Sequence, residues 1–458
     1  MKLVNTVKTV QIPAQTVPVI AETDVLVVGS GPGGLSAAIG SARTGVKTML
    51  VERYGCFGGN LTHVGVEGIG WYRRPETVDV EGVGIEFEQR ARAQQASYDE
   101  PQSISQGINA ELFKVLADNW IQEEHIDHLL HATAVDVLRD GDTVTGIIIQ
   151  SKSGRQAILA KRIIDATGDA DIAKMADAPL CQLPKEEMMA VTVMFSCSGV
   201  DKARFLDYVR ENPMSYMDWG KEWAIETDGK EDDLFSPYLD DPFEQAREEG
   251  IIPPGLKSIG GTWSGISDAG EATYLNMVHM GGYDGTDVWD LTRAEIEGRR
   301  QAMLAIKALQ HFAPGFENAG LRNFGMTLGI RDTRKIVGRY NLTEQDVCHQ
   351  GRFENTIGIF PEFIDGYGRL ILPTTGRYFQ IPYQTLVPRD VENLLVAGRA
   401  IAGDKISHAS VRNMMCCTVT GQAAGVAAAM SIKHGTTTTD VKIGLVQDEL
   451  TKQGVRIH

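Results

Sequence analysis

Asp24 to Val28 carries an unbroken apolar run from Val25, the pattern of a strand buried on both faces. A glycine-rich turn follows, then small residues at helical spacing from about Gly33 to Thr44, then a second apolar run from Val46 to Glu52. Strand, turn, helix and strand within about thirty residues form one β-α-β unit. Helical spacing recurs from Ile108 to Ile121, and short alternating runs between Ala132 and Ala173 predict a meander of strands with turns at Asp140-Gly141 and Ser153-Gly154. From about Ala176 to Leu372 Trp and Pro enter, and no second glycine fingerprint follows a strand. Near the end, "NLLVAGRAIAG" predicts a short buried strand and turn, and a long helix runs from His408 to Gly435. Three stretches result, 1–175, 176–372 and 373–458, the middle one a second domain set between the other two.

One segment of that last helix, Met414 to Ile432, holds no charged residue over a length close to a membrane span. Its Gly, Ala, Thr and Gln make it a weak lipid-facing helix, so a buried core helix is expected instead. The start, "MKLVNTVKTVQIPAQTVPVI", is interrupted by Pro13 and Pro18 and predicts a strand-like arm rather than a signal peptide. At 458 residues and 43% hydrophobic, the chain can build two cores. A net charge of -16 argues against nucleic acid and anionic membrane as partners. Six scattered cysteines without a C-x-x-C pair predict free thiols and a reducing, cytoplasmic setting. No histidine or carboxylate spacing predicts a metal site.

Gly29, Gly31 and Gly34 satisfy G-x-G-x-x-G at the point where a strand becomes a helix. There the glycines allow a tight turn, backbone approach to a pyrophosphate, and close packing of helix on strand. Glu52, ending the second strand, stands where a carboxylate accepts hydrogen bonds from an adenosine ribose. To this point FAD and NAD both fit.

Further motifs separate the two. "VVGSGPGG" with "VER", "YGCFGGN", "DATGDADIA", "LGIRDTRKIVGRYNLTEQDV", "IPYQTLVPRDVENLLVAGRAI" and "HASVRNMMCCTVTGQAAGVAAA" together resemble the FAD-dependent oxidoreductase family of the glutathione-reductase-like flavoproteins. The resemblance runs over nearly the whole chain and implies FAD as cofactor. It implies an α/β fold, a glutathione-reductase-like Rossmann domain with an α+β substrate domain inserted in it. It further implies cofactor contacts from Pro32, Gly33, Arg53, Gly58, Gly59, Asn60, Thr62, Ala134, Ala166, Thr167, Gly168, Gly398, Asp404, Arg412, Met414 and Met415, besides the glycines and Glu52 above. The start of the last helix would aim backbone amides at the flavin pyrimidine. Asp169 is either a ligand or the cap of the following turn. The second dinucleotide motif and redox cysteine pair of disulfide reductases are missing, and adjacent Cys416 and Cys417 point roughly 100° apart on a helix, so they read as packing.

Hydride exchange at flavin N5 needs groups that move one proton and steady one developing charge. His408, four residues before Arg412, is the first candidate for general acid or base. His63 is either a specificity residue beside the ring or a surface histidine. Arg331 and Arg334 would share a helix face, as a fork for a substrate carboxylate or as ion-pair partners of Asp332 or Glu344. Asn276, His279 and Tyr283 lie on or beside a predicted strand, facing either the flavin or the core. The expected activity is hydride exchange between FAD and a small organic substrate, in either direction, with electrons passing to or from an external carrier. A monooxygenase and a FAD-binding structural protein are the alternatives, and a homo-oligomer is open.

Overall fold

The computed structural model describes residues 9–220, 222–230, 234–373 and 376–458. The first eight residues of the expected arm lie outside that range; residues 9–18 are irregular, and regular pairing starts at Val19. The β-α-β unit consists of β1 (Val19–Val28), α1 (Pro32–Arg43) and β2 (Thr48–Val51). Val25 to Val28 are all buried because β1 is central, paired in parallel on one side to β2 and on the other to a later strand. Helix α2 (Ala110–Glu123) follows, opened by the Asn109 side chain, which accepts from the amides of Glu111 and Leu112.

The strands β3 (Asp127–Leu129), β4 (Thr133–Asp140), β5 (Thr143–Ser151) and β6 (Gly154–Asp165) complete the path β3-β2-β1-β6-β5-β4. Strands β4 to β6 are the expected antiparallel meander, with Gly141 and Gly154 at positive φ in its turns.

A second sheet runs β8-β9-β10-β7-β11, built from β7 (Phe195–Ser198), β8 (Tyr238–Leu239), β9 (Ile259–Thr262), β10 (Ala272–Met280) and β11 (Gly320–Phe324). Helix α3 (Val288–Phe312) packs against this sheet through Ala294, Gly298, Ala302 and Ile306. The apolar core of this unit spans Val191 to Ile330, narrower than the expected 176–372. Leu180–Cys181 and Lys335–Ile336 pair antiparallel where the chain leaves and re-enters the first domain. Beyond them Leu342, Ile357, Phe360, Phe363 and Leu370 join the first domain's core, so apolar contact rather than texture sets that boundary.

The chain returns to the first sheet with β12 (Leu394–Val396), parallel to β6. The expected single terminal helix is two: α4 (Lys405–Val411) and α5 (Met414–Lys433), separated where Asn413 takes an extended conformation and donates its amide to the carbonyls of Ala409 and Ser410. Helix α5 is long and apolar enough to cross a membrane, yet 89% of its most apolar window is buried in this fold. Its Gly421 and Gly425 face α1, where an added Cβ would come within 2.0 Å of the Gly33 and Ala37 carbonyl oxygens. Only bare backbone permits that crossing.

Candidate functional site

The carboxyl ends of β1, β2 and β6 open on a cleft of about 1140 Å³, at the sheet edge where α/β folds bind ligands. The Gly29 amide donates to the Val51 carbonyl at 2.8 Å, tying the turn to β2. An added Cβ on Gly34 would stand 1.8 Å from the Gly29 carbonyl oxygen. The N-cap of α1, Gly31, has no side chain to satisfy the first amides, which leaves them for an anion. Gly59, at φ 55°, touches Gly31, where a Cβ would meet its Cα at 2.4 Å, so two glycine turns form one wall. Glu52 Oε2 accepts from the Ser30 amide at 2.8 Å and hydroxyl at 2.6 Å, and Oε1 accepts from the Tyr54 amide at 2.9 Å. Arg399 donates from Nη2 to Asp169 at 2.8 Å, while its buried Nε has no partner. Asp169 also accepts from Thr333 at 2.7 Å; burial raises its carboxyl, and Arg399 and Thr333 more than offset that, holding it below its ordinary value. It is therefore neither free ligand nor cap, since Ala170 precedes the following helix in left-handed conformation.

Of the sequence candidates, Gly29, Gly31, Pro32, Gly33, Glu52, Arg53, Gly59, Asn60, Ala134, Ala166, Thr167, Gly168, Gly398, Arg412 and Met414 line this cleft. Gly34, Gly58, Thr62 and Met415 stand behind it. Thr62 donates to the Phe57 carbonyl at 2.6 Å, holding the loop instead. Asp404 is placed elsewhere: its carboxylate caps α4 through the Ser407 amide and also takes the Glu344 amide, both contacts structural. The N-cap of α5, Asn413, makes no side-chain cap bond, so this helix too starts with unsatisfied amides, at Met414 on the cleft wall.

A second cavity, open in part to solvent, lies between the two domains and meets the first at Arg412, which borders both. Arg331, His279 and Asn276 line it. The expected helix at Arg331 is absent: residues 330–334 form no regular element, and the stretch is anchored by the reciprocal backbone bonds of Gly329 with Thr192. The arginine fork is thereby split, with Arg334 pairing to Asp171 at 2.6 Å beside the first cleft and Arg331 entering the second. Arg331 donates to the Ala190 carbonyl at 2.9 Å, and its other nitrogen stands 3.5 Å from both Asn276 Oδ1 and His279 Nδ1. Among the described residues no carboxylate pairs with it. Burial and then Arg412 push its guanidinium down to about 10; the nearby Asp365 carboxylate, itself paired to Arg412 at 2.9 Å, offsets only part of this.

The histidines fall differently from expectation. His408 lines neither cavity; it is 1% exposed, and Nε2 donates to the Arg331 carbonyl at 2.9 Å. Burial, then Lys335, pushes it down to about 3, and its Nδ1 is buried without a partner. A neutral ring without access to either cavity cannot exchange a proton with substrate, so the acid/base role expected of His408 is replaced by a hold on the Arg331 backbone. His279 is likewise pushed down to about 3 by burial and by Arg331, with Nε2 donating to the Asn276 carbonyl at 3.0 Å. Its Nδ1 therefore serves Arg331 as an acceptor. His63 is buried on the first cleft, donates to the Cys56 carbonyl at 2.8 Å and leans on the Tyr54 ring at 4.6 Å; burial lowers it too. Tyr283 does not reach the second cavity.

The sequence reading passed over Ser30, Tyr54, Asp171, Arg399 and Cys417 on the first cleft, although Arg399 stood inside the noted "AGR" stretch. An arginine beside three small residues at a strand end was the available signal. Trp219, Trp223, Tyr238 and Tyr367, on the second cavity, carry no spacing that marks them.

A family model described as FAD dependent oxidoreductase matches residues 24–450. Among curated proteins, dihydrolipoyl dehydrogenase of Chlorobaculum tepidum is 32% identical over 161 residues, 32% of this chain and 30% of that protein. Thiamine thiazole synthase of Methanococcus vannielii is 33% identical over 162 residues, 33% of this chain and 59% of that protein. The chain thus spans less than two thirds of these relatives. Among solved structures, a geranylgeranyl bacteriochlorophyll reductase-like protein of Thermoplasma acidophilum superposes with a TM-score of 0.44 at 13% identity, covering 95% of this chain and 84% of that one. The uncapped start of α1, the bare glycine walls and the unpartnered Arg399 Nε fit the pyrophosphate of a dinucleotide, and Glu52 fits its ribose. The chain belongs to the FAD dependent oxidoreductase family, an enzyme with a Rossmann-type domain whose cofactor is FAD.

Proposed function

We propose that this enzyme exchanges hydride with a small organic acid held in the second cavity, its carboxylate anchored on Arg331. The observation that carries the reading is a guanidinium enclosed without a carboxylate partner among the described residues, next to the arginine that borders both cavities. FAD, when bound, supplies a hydride acceptor or donor. Arg331 would orient the acid by charge-assisted hydrogen bonds, with Ala190, Asn276 and His279 fixing its planar fork. Arg412, at the junction, would steady negative charge that develops as the substrate reacts. The Gly31, Gly33 and Gly59 backbone and Arg399 would hold the pyrophosphate, Glu52 the ribose, and the start of α5 the pyrimidine edge. The electrons would pass in a second half-reaction to or from an external carrier.

The test is anaerobic mixing of FAD-loaded protein with paired acids and alcohols, amines or enoates, watching flavin absorbance. Bleaching by a carboxylate-bearing substrate, or reoxidation of reduced flavin by an unsaturated acid, supports the reading. Flavin that responds only to neutral substrates contradicts it, and oxygen-dependent hydroxylation would assign a monooxygenase instead.

A further inference from the structure

The second cavity has a distinct chemistry away from Arg331. Trp219, Trp223 and Tyr238 line it as well, all three only half-buried. Trp219 is already stacked by Trp71, parallel within 6° at 5.4 Å, and by Tyr216, within 22° at 5.8 Å, and Tyr238 tilts against it at 5.8 Å, so its ring is part of the wall's packing. The Trp223 ring, among the described residues, stacks on no other ring, and the Gly220 backbone packs against it. The wall beside Tyr238 is bare backbone at Gly260, where an added Cβ would find nothing nearer than the Tyr238 hydroxyl at 4.0 Å. Burial holds the Tyr238 hydroxyl protonated, pushed up to about 12, so the ring stays a neutral surface. Indole and phenol rings left half in water at a cavity wall represent unclaimed apolar area, and such area is where a ligand gains most. The cavity also reaches well beyond Arg331, with more room than an acid of two or three carbons fills.

We propose that the substrate is a ring-bearing carboxylate, its acid on Arg331 and the flat face of its ring on Trp223 and Tyr238. The inference rests on the reading of Arg331 as the carboxylate anchor. The shared chemistry is a ring face that stacks on indole, supplied either by an aromatic ring or by the C–H face of a sugar acid. Ring stacking beyond simple burial is worth about 0.5–1.5 kcal/mol, so a matched aliphatic acid should bind roughly ten-fold more weakly.

Full-length FAD-loaded protein titrated with hexanoate, 3-phenylpropionate and glucuronate, read by flavin absorbance, tests this. At least one ring acid should bind about ten-fold tighter than hexanoate, and which one identifies the ring. Trp223→Leu should bring that ratio to about one, with FAD content, set in the other cleft, unchanged; Tyr238→Leu, at a separate position, should lower it too. Hexanoate binding as tightly as both ring acids overturns the ring inference and leaves the Arg331 reading standing. A ratio that survives in both variants also overturns it. No binding by any of the three acids overturns the Arg331 reading and this one with it.

Discussion

Replacing Arg331 with Met keeps the length of the side chain and removes its charge. The charge is costly in the free protein: burial and Arg412 push the guanidinium down to about 10, a cost of about 3 kcal/mol. Met avoids that cost but orphans the Ala190 carbonyl that Arg331 now satisfies, a penalty of about 1–3 kcal/mol. The two nearly cancel, so the variant should melt within a few degrees of the parent. Binding should change far more. Two charge-assisted hydrogen bonds to a carboxylate, together about 3–4 kcal/mol in an enclosed site, correspond to a loss of roughly 100- to 1000-fold in affinity. The assay is a titration of the FAD-loaded variant with a binding acid, alongside its flavin content, which should be unchanged because Arg331 does not line the FAD cleft. An affinity within about three-fold of the parent would refute the anchor. So would loss of affinity only in step with loss of FAD, since that would make Arg331 a structural support.

Gly34→Ala places a methyl against the Gly29 carbonyl and should abolish FAD retention during purification, whereas Gly444→Ala, in open space on the last helix, should not; flavin absorbance per chain reads both. Glu52→Gln turns an acceptor into a donor facing the Ser30 amide and hydroxyl, and FAD affinity should fall by at least ten-fold on dialysis. His408, pushed down to about 3 by burial and Lys335, is protonated more readily unfolded than folded between 6.5 and about 3. Its neutral ring therefore contributes nothing to pH dependence above 6.5, and costs the fold up to ~1.4 kcal/mol per pH unit as pH falls below it. His408→Gln should be less stable than the parent at pH 7, through the lost Arg331 carbonyl bond, and the gap should close or reverse toward pH 4 in denaturant titrations.

The first domain was legible because its signals are local. A glycine turn between an apolar strand and a small-residue helix specifies both its own geometry and the cleft beside it, and the residues around Gly29, Glu52 and Gly168 line that cleft. Local signals failed where tertiary contacts decide. Arg331 and Arg334 lie three apart, which suits a helix, but the bridge between Gly329 and Thr192 anchors an irregular stretch in which Arg331 enters the second cavity and Arg334 pairs with Asp171 beside the first. His408 was marked by its place four residues before Arg412, yet its ring is buried against the Arg331 carbonyl while Arg412 reaches both cavities, a difference that only tertiary packing sets. Asp404 stands close after the "AGR" stretch but serves as an N-cap, a role its type and place before a helix equally allowed. The boundaries of the second domain were misjudged because residues beyond Leu342 share its texture but pack in the first core. The aromatic residues of the second cavity come from separate strands and loops, and no spacing along the chain brings them together.

The central claim is that Arg331 receives a carboxylate beside the flavin. It is tested most directly by titrating FAD-loaded protein with one acid and with its methyl ester, following flavin absorbance. The account predicts that the acid perturbs the flavin and that the ester, one methyl larger and without charge, binds at least 100-fold more weakly. Equal affinity of acid and ester would contradict it.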